Sequence, residues 1–450
     1  MTEIVALLQT IAPLIEKRTL RQLRQVVFGM LVVSGRITML GLSRWTEKGG
    51  SYRTIQRLYH TVLPWNAIQW LFFRKRFLQP ADEYLIAGDE VVVSKAGKET
   101  YGLDRFFAGL QQQVIPGLAF FAFSLVHVRE EQSYPLQISQ IVKSEAEKAA
   151  CKTKKEAKQA KKTAEKRKPG RPKGSKNKAK AEVELSAELL RVQSGLRSLL
   201  ATVGTALILR YVALDGHFGN YPSAYMVRQE NLHLLSKLRH DAALYPAFSG
   251  DHPGPGPKPK YGAKINVHQL DPKYLKESTV KDQIRTDVYQ GQFYNKEFAF
   301  ALNVVIILKT NLVTNAQAHA ILFSTDLGQA YDQIIRLYSL RFQIEFHFRD
   351  AKQYWGLEDF MNVKETAVTN AANLAFFMVN ISQALLRPFR HNQPDFSILD
   401  LKSYYRGFRY TSEAIKMLPQ KPNANILARI FEQIARLGAI HPLSHPSPTP

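Results

Sequence analysis

The sequence predicts an α/β protein, and three observations carry that expectation. Residues 1–78 repeat apolar side chains at three- and four-residue steps, the period of a helix. The middle of the chain holds short β-branched and aromatic runs bounded by turn residues, as strands do. Beyond about residue 327 the helical period returns in long segments. With 450 residues, 45% of them hydrophobic and 11% aromatic, the chain can bury a sizeable core, in roughly two to four domains.

The first helices read from Ile4, Leu7, Leu8 and Ile11, then from Val27 and Leu31. Ser43 and Ser51 have the chemistry of N-caps, and Gly49–Gly50 marks a break. Gly41–Trp45 followed by Ser51–Leu58 resembles a helix-turn-helix, in which Arg53, Gln56 and Arg57 would face DNA. A plain helical bundle with a solvated basic face accounts for the same residues equally well.

Tyr84–Val93 reads as one buried strand carrying Asp89 and Glu90, which alternation sends to opposite faces. Val114–Val128 is long enough for two strands, with a break expected near Pro116–Gly117. Strand character returns at Ile208–Asp215 and Leu232–Arg239, Asp251–Tyr261 is a Pro- and Gly-rich loop, and residues 263–324 read mostly as strands. One long helix is expected from about Leu327 to Tyr354, capped by Asp326. Another is expected over Ala367–Leu386, with a disordered tail from His441 to Pro450.

Sixty-one Lys and Arg against thirty-eight Asp and Glu leave a net charge of +23, which calls for a polyanionic partner. The longest apolar runs, such as Val114–Val128, are too short to span a bilayer. Met1–Gln9 has Glu3 and no basic start, unlike a secretory signal. One cysteine, Cys151, excludes an internal disulfide and a multi-cysteine zinc site. A cytosolic, soluble chain that binds nucleic acid and no membrane is the expectation. Residues 143–182 hold sixteen Lys and Arg against five Glu, so they supply +11 of the +23. Lys166–Asn177 has too few apolar residues to fold alone, so this stretch reads as an insertion.

The strongest signal lies between Asp326 and Gly356. On a continuous helix at about 100° per residue, Tyr338, Arg341, Glu345, Arg349 and Lys352 share a stripe about 80° wide. Leu337, Leu340, Ile344, Phe348 and Ala351 flank it on one side, Phe342 and Phe346 on the other, while Ser339, Gln343, His347 and Asp350 form a second polar edge. A charged stripe bordered by apolar residues opens onto a cleft. The plainer alternative is a row of i, i+4 ion pairs, Arg341 with Glu345 and Glu345 with Arg349.

The spacing Tyr338-x2-Arg341-x3-Glu345-x6-Lys352, followed by Gly356, resembles the signature of bacterial insertion-sequence transposases of the DDE type. That family carries a first Asp on a hydrophobic strand and a second after another strand, which Asp89 and Asp215 match. The resemblance covers roughly residues 80–390. It implies a ribonuclease-H-like mixed-sheet catalytic domain with a β-rich insertion, preceded by an N-terminal helical DNA-binding domain. On that reading residues 1–78 are the helical domain, and residues 79–142 and 184–244 the two parts of the catalytic core. Residues 143–183 are a basic insertion, residues 245–322 the β-rich insertion, residues 323–390 the catalytic helix region, and residues 391–450 a helical C-terminal region with its tail.

The resemblance further implies that Asp89, Asp215 and Glu345 hold Mg²⁺, with Mn²⁺ able to substitute, for cleavage and strand transfer at terminal inverted repeats. Carboxylates suit that hard ion, which needs no histidine cluster. Asp89 would bridge two ions, while Tyr338, Arg341 and Lys352 grip phosphates. Arg349 shares the stripe but stands outside the motif. His217, just after Asp215, is more plausibly structural than substrate-binding. Gly170-Arg171-Pro172, with Lys173 and Lys166–Lys168 on its flanks, resembles an AT-hook, which lays Arg into the narrow minor groove of A·T-rich DNA. The rival is a nonspecific polybasic linker. The expected partners are double-stranded DNA, both element ends and target, and a second copy of the chain, in a bacterial cytoplasm on the nucleoid. A stand-alone nuclease of the same fold, or a DNA-binding protein that has lost catalysis, are the alternatives.

Overall fold

A computed structural model describes residues 2–441, apart from 47–48, 110, 253, 421 and, save for 153 and 156, 151–182. The AT-hook-like Arg171 and Lys173 and the tail beyond His441 therefore lie outside the described residues.

The fold is mixed α/β, built on a ten-stranded mixed sheet in the order β2-β3-β1-β5-β6-β10-β9-β8-β7, with β4 on β3. The strands are β1 Tyr84–Ser94, β2 Asp104–Ala108, β3 Gln113–His127, β4 Gln132–Ile141, β5 Tyr211–Leu214, β6 His233–Leu238, β7 Leu275–Lys281, β8 Ile284–Tyr294, β9 Ala301–Asn311 and β10 Gln317–Ser324. Only the β1–β5 and β5–β6 pairs are parallel. β1 and β5 are central strands whose apolar residues face packed layers on both sides. Ile86, Ala87, Val212, Ala213 and Leu214 are fully buried, as near-continuous hydrophobic runs in parallel strands require.

Val114–Val128 makes one strand, not the two expected. Lys95 donates its backbone N–H to the Pro116 carbonyl, so the ring nitrogen of Pro116 faces the side of β1 just past that strand's last paired residue, Ser94. No ladder donor is needed there, and the strand runs through the proline. The strands of residues 245–322 extend the central sheet, because β10 pairs antiparallel with β6 along Ile321–Ser324.

Residues 2–76 are helical as expected: α1 Thr2–Gln9, α2 Lys17–Val32, α3 Met39–Ser43, α4 Tyr52–His60 and α5 Trp65–Arg76. Ser51 caps α4 by accepting from the Thr54 N–H. Ser43 instead ends α3, whose cap is Thr38. Further on come α6 Ala187–Val203, α7 Tyr221–Gln229, α8 Tyr331–Leu340, α9 Gln343–Gln353, α10 Glu365–Asn392, α11 Ile398–Lys416 and α12 Ala424–Ile434. The N-terminal helices share one hydrophobic core with the sheet and α10. Buried Asn370 on α10 accepts from the Trp65 indole at 2.7 Å and donates to the Tyr59 and Thr61 carbonyls. These bonds satisfy carbonyls at the end of α4 that its own helix leaves orphaned. No helix among the described residues is long and apolar enough to cross a membrane.

Candidate active site

Asp89 sits in the middle of β1, and Asp215 directly follows β5. The parallel ladder pairs Gly88 with Leu214, so one further step brings Asp89 beside Asp215. Gly88 permits this approach: a Cβ there would meet Leu214 Cδ2 at 2.8 Å and the Phe123 ring at 2.9 Å. Asp215 is itself fixed by accepting the His217 N–H at 3.1 Å on its carboxylate, while its carbonyl accepts from the Ser236 hydroxyl at 2.7 Å.

The third carboxylate arrives from the other side. The expected long helix is two, α8 and α9, joined at Arg341–Phe342. Across the joint, Arg341, Phe342, Ile344 and Glu345 each donate to the residue three positions earlier, a 3₁₀-type tightening. Each tightened residue advances by about 120°, so the stripe does not stay in register. Asp326 does not cap α8, whose N-cap is Ala330 with no side-chain bond. Its carboxylate instead accepts from the Tyr211 hydroxyl and the Gly328 N–H, the commoner role of an Asp in a turn.

The split sends the stripe residues to different places. Arg341 turns inward, 12% exposed, with Nη1 at 2.9 Å from Asp89 Oδ2 and Nη2 at 3.2 Å from Glu345 Oε1. Lys352 donates to the Val92 carbonyl of β1 at 2.7 Å and lies 3.4 Å from Glu358. Arg349 pairs with Asp350 at 2.9 Å and lies over the Phe346 ring. Of the two ion pairs in the plainer alternative, the Arg341–Glu345 pair forms, whereas Arg349 turns to Asp350. Leu337, Leu340, Ile344, Phe348 and Ala351 are buried, while Phe342 and Phe346 on the other flank are 50% and 38% exposed.

Electrostatics tie the group together. Burial pushes the Asp89 carboxyl up to about 6, with Arg341 opposing the rise and the Asp215 and Glu345 charges adding to it. The Tyr338 phenol is also raised, by burial first, with Arg341 opposing and Asp215 and Asp89 adding. Asp89 therefore feels the charges of Arg341, Asp215 and Glu345, and Tyr338 those of Arg341, Asp215 and Asp89. Glu90 has different neighbours: desolvation, then Glu188 and Asp89, push it up to about 7. His217 bonds Glu188 at 3.0 Å.

Three carboxylates, one on β1, one just past β5 and one on α9, have the chemistry a hard divalent cation needs. With Arg341 between Asp89 and Glu345, no three His, Cys, Asp or Glu side chains among the described residues surround one point closely enough to hold an ion.

Two supporting residues escaped sequence reasoning. Gly88 is one, and a glycine inside a strand run is the signal of close backbone approach. The other is His347, which is buried and not part of an outer polar edge. Its Nε2 donates to the Ser133 carbonyl at 2.9 Å and its Nδ1 meets the Ser124 hydroxyl at 3.3 Å, tying α9 to β4 and β3. Its place three residues after Ile344 and four before Ala351 puts it on the buried face.

Elsewhere, Arg53 and Arg57 of α4 are exposed and Gln56 is half-buried, with α3 packed against α4.

No curated protein matches the chain in sequence. Among solved structures it is similar to a piggyBac transposase synaptic complex with hairpin DNA, at 12% identity and a TM-score of 0.36, over 100% of this chain and 83% of that one. The family model described as DDE superfamily endonuclease matches residues 10–292, a span that includes Asp89 and Asp215 and stops before Glu345. That match covers more than half of the 450 residues, and the chain belongs to the DDE superfamily endonuclease family.

Proposed function

We propose that this chain is a DNA transposase of the insertion-sequence kind, with a ribonuclease-H-like catalytic core and Asp89, Asp215 and Glu345 as its acidic residues. The observation that carries the reading is that one arginine, Arg341, bridges Asp89 of β1 and Glu345 of α9, while Asp215, just past the end of the adjacent strand β5, stands one register step beyond the Gly88–Leu214 pair. The surplus of +23 supports a polyanionic substrate, and the family description supports cleavage of its backbone.

Asp89, Asp215 and Glu345 would hold Mg²⁺ or Mn²⁺, which supplies charge stabilisation at the reacting phosphate and activates the attacking oxygen. The chain's own groups then divide the work. Arg341, paired with Asp89 and Glu345, is a cation placed to meet a phosphate brought to them. Tyr338 faces the same charges and offers a phenolic donor. Lys352, held against β1, fixes the distance between α9 and the strand that carries Asp89. Arg349, half-exposed on the outer side of α9, meets the strand's flank. Arg53 and Arg57, with Arg171 and Lys173, are proposed to hold DNA beyond the cleavage point, on a dimer that joins two element ends to a target.

The test is incubation with element-end DNA and Mg²⁺, with sequencing of cleaved and joined products. Asp89→Asn, Asp215→Asn and Glu345→Gln should each abolish cleavage while leaving end binding largely intact. Retained cleavage by any one of them removes that residue from the site. Cleavage without joining would leave a nuclease of the same fold.

A further inference from the structure

A cavity of about 550 Å³ lies between the start of α2 and the end of α4, well within the size range of small-molecule sites. Arg18, Arg57 and His60 line it, against the one carboxylate of Glu16. The start of α2 adds to this positive end, because its N-cap, Glu16, makes no side-chain bond to the first turn. Free N–H groups at the start of a 16-residue helix favour an anion.

The inner lining is different in kind. Thr19 and Gln22 both line the cavity while only 7% and 8% exposed. Neither side chain makes a hydrogen bond to another described residue. The amide of Gln22 is also not among the polar atoms sealed from solvent, so what exposure it has is toward the cavity. A buried amide without a partner is costly, and one that opens into a cavity is satisfied by whatever enters. Leu14, Ile15 and Val62 supply an apolar wall beside it.

Cations at the mouth, an apolar wall and an amide–hydroxyl pair within match the parts of a nucleotide. We propose that this cavity binds one nucleotide unit. Its phosphate meets Arg18, Arg57 and the open start of α2, and its base lies on the apolar wall with its polar edge on Gln22 and Thr19. The unit is either a free nucleotide or an unpaired member of a DNA strand. Only the second source rests on the DNA reading above.

The test is calorimetric titration of the full chain in EDTA, so that no cleavage is read. The probes are thymidine monophosphate, a twelve-residue oligo-dT and inorganic phosphate. Gln22→Leu and Arg57→Ala should each weaken nucleotide binding on the order of tenfold. Gln22→Leu should leave the melting temperature unchanged or raised, since it removes an unpaired amide, and Thr19→Val is the near-isosteric second variant. Weakening with both nucleotide probes assigns a free nucleotide as sufficient, and weakening with oligo-dT alone assigns a strand unit. The proposal is overturned if neither probe binds, or if inorganic phosphate binds as tightly as thymidine monophosphate. It is also overturned if Gln22→Leu and Thr19→Val leave affinity intact, or if Gln22→Leu mainly lowers the melting temperature. None of these failures bears on cleavage at Asp89.

Discussion

Arg341 and Asp89, 252 positions apart in the chain, meet at 2.9 Å, and the same guanidinium reaches Glu345 at 3.2 Å. Two of the three acidic side chains are thus held by one internal cation.

Removing that cation leaves two carboxylates facing each other beside Asp215. Arg341→Ala should therefore destabilise the fold at neutral pH by about 3 kcal/mol, as breaking a largely buried pair does. The loss should shrink as pH falls below about 6, where burial leaves Asp89 protonated even opposite Arg341 and less of the pair remains to be lost. Thermal melts in EDTA and in Mg²⁺ check this, and the cation should restore more stability to the variant than to the parent. A variant that melts like the parent in EDTA would show that the bridge carries no structural load.

His347 sets an acid limit on stability. Burial pushes its imidazole down to about 4, so the folded protein holds it neutral where the unfolded chain, near 6.5, takes up a proton. A lowered folded pKa means that the unfolded state binds more protons between those values. Stability is therefore full above about pH 6.5 and falls by about 3 kcal/mol in all as pH drops to 4. Melting temperature against pH should show this slope, and His347→Asn should flatten it. An equal slope in the variant would place the acid sensitivity elsewhere.

Gly88→Ala tests the seat of the two aspartates. The added methyl would meet Leu214 Cδ2 at 2.8 Å and the Phe123 ring at 2.9 Å, a cost of about 1–3 kcal/mol. Because Leu214 precedes Asp215 and Gly88 precedes Asp89, relief of the clash shifts both carboxylates. Cleavage should fall on the order of tenfold or more beyond what the lost stability explains. Melting and cleavage assays on one preparation separate the two effects, and a cleavage loss no larger than the folded-fraction loss would show that the spacing tolerates change.

How much of this was readable in advance follows from the range of the forces involved. Strand β1 and its Asp89 were legible because burial leaves apolar runs on either side of the adjacent acids Asp89 and Glu90. The Tyr338–Lys352 spacing was legible as a motif, yet its geometry was not. Sequence periodicity assumes a uniform helix, while the joint at Arg341–Phe342 depends on where Arg341 finds its partner, and Asp89 is far away in the chain. The passage of β3 through Pro116 likewise depends on where β1 stops. The pairing of β10 with β6 is a long-range register that no local pattern encodes.

Residues 143–182 carry +11 of the +23. In the chain they fall between β4 and α6, and every strand of the described sheet lies outside them. Deleting residues 151–182 should leave the melting temperature nearly unchanged, because so polar a stretch has little apolar area to bury. DNA affinity should fall, and the slope of log K against log salt should shrink by several units if several of these cations meet phosphates. Arg171→Ala should weaken binding to A·T-rich duplex more than to G·C-rich duplex, since a minor-groove arginine responds to groove width. A plain polybasic linker gives equal, small losses on both. Binding measured on the two duplexes across a salt series distinguishes these outcomes, and an unchanged salt slope after the deletion would show that the segment makes no contact with DNA.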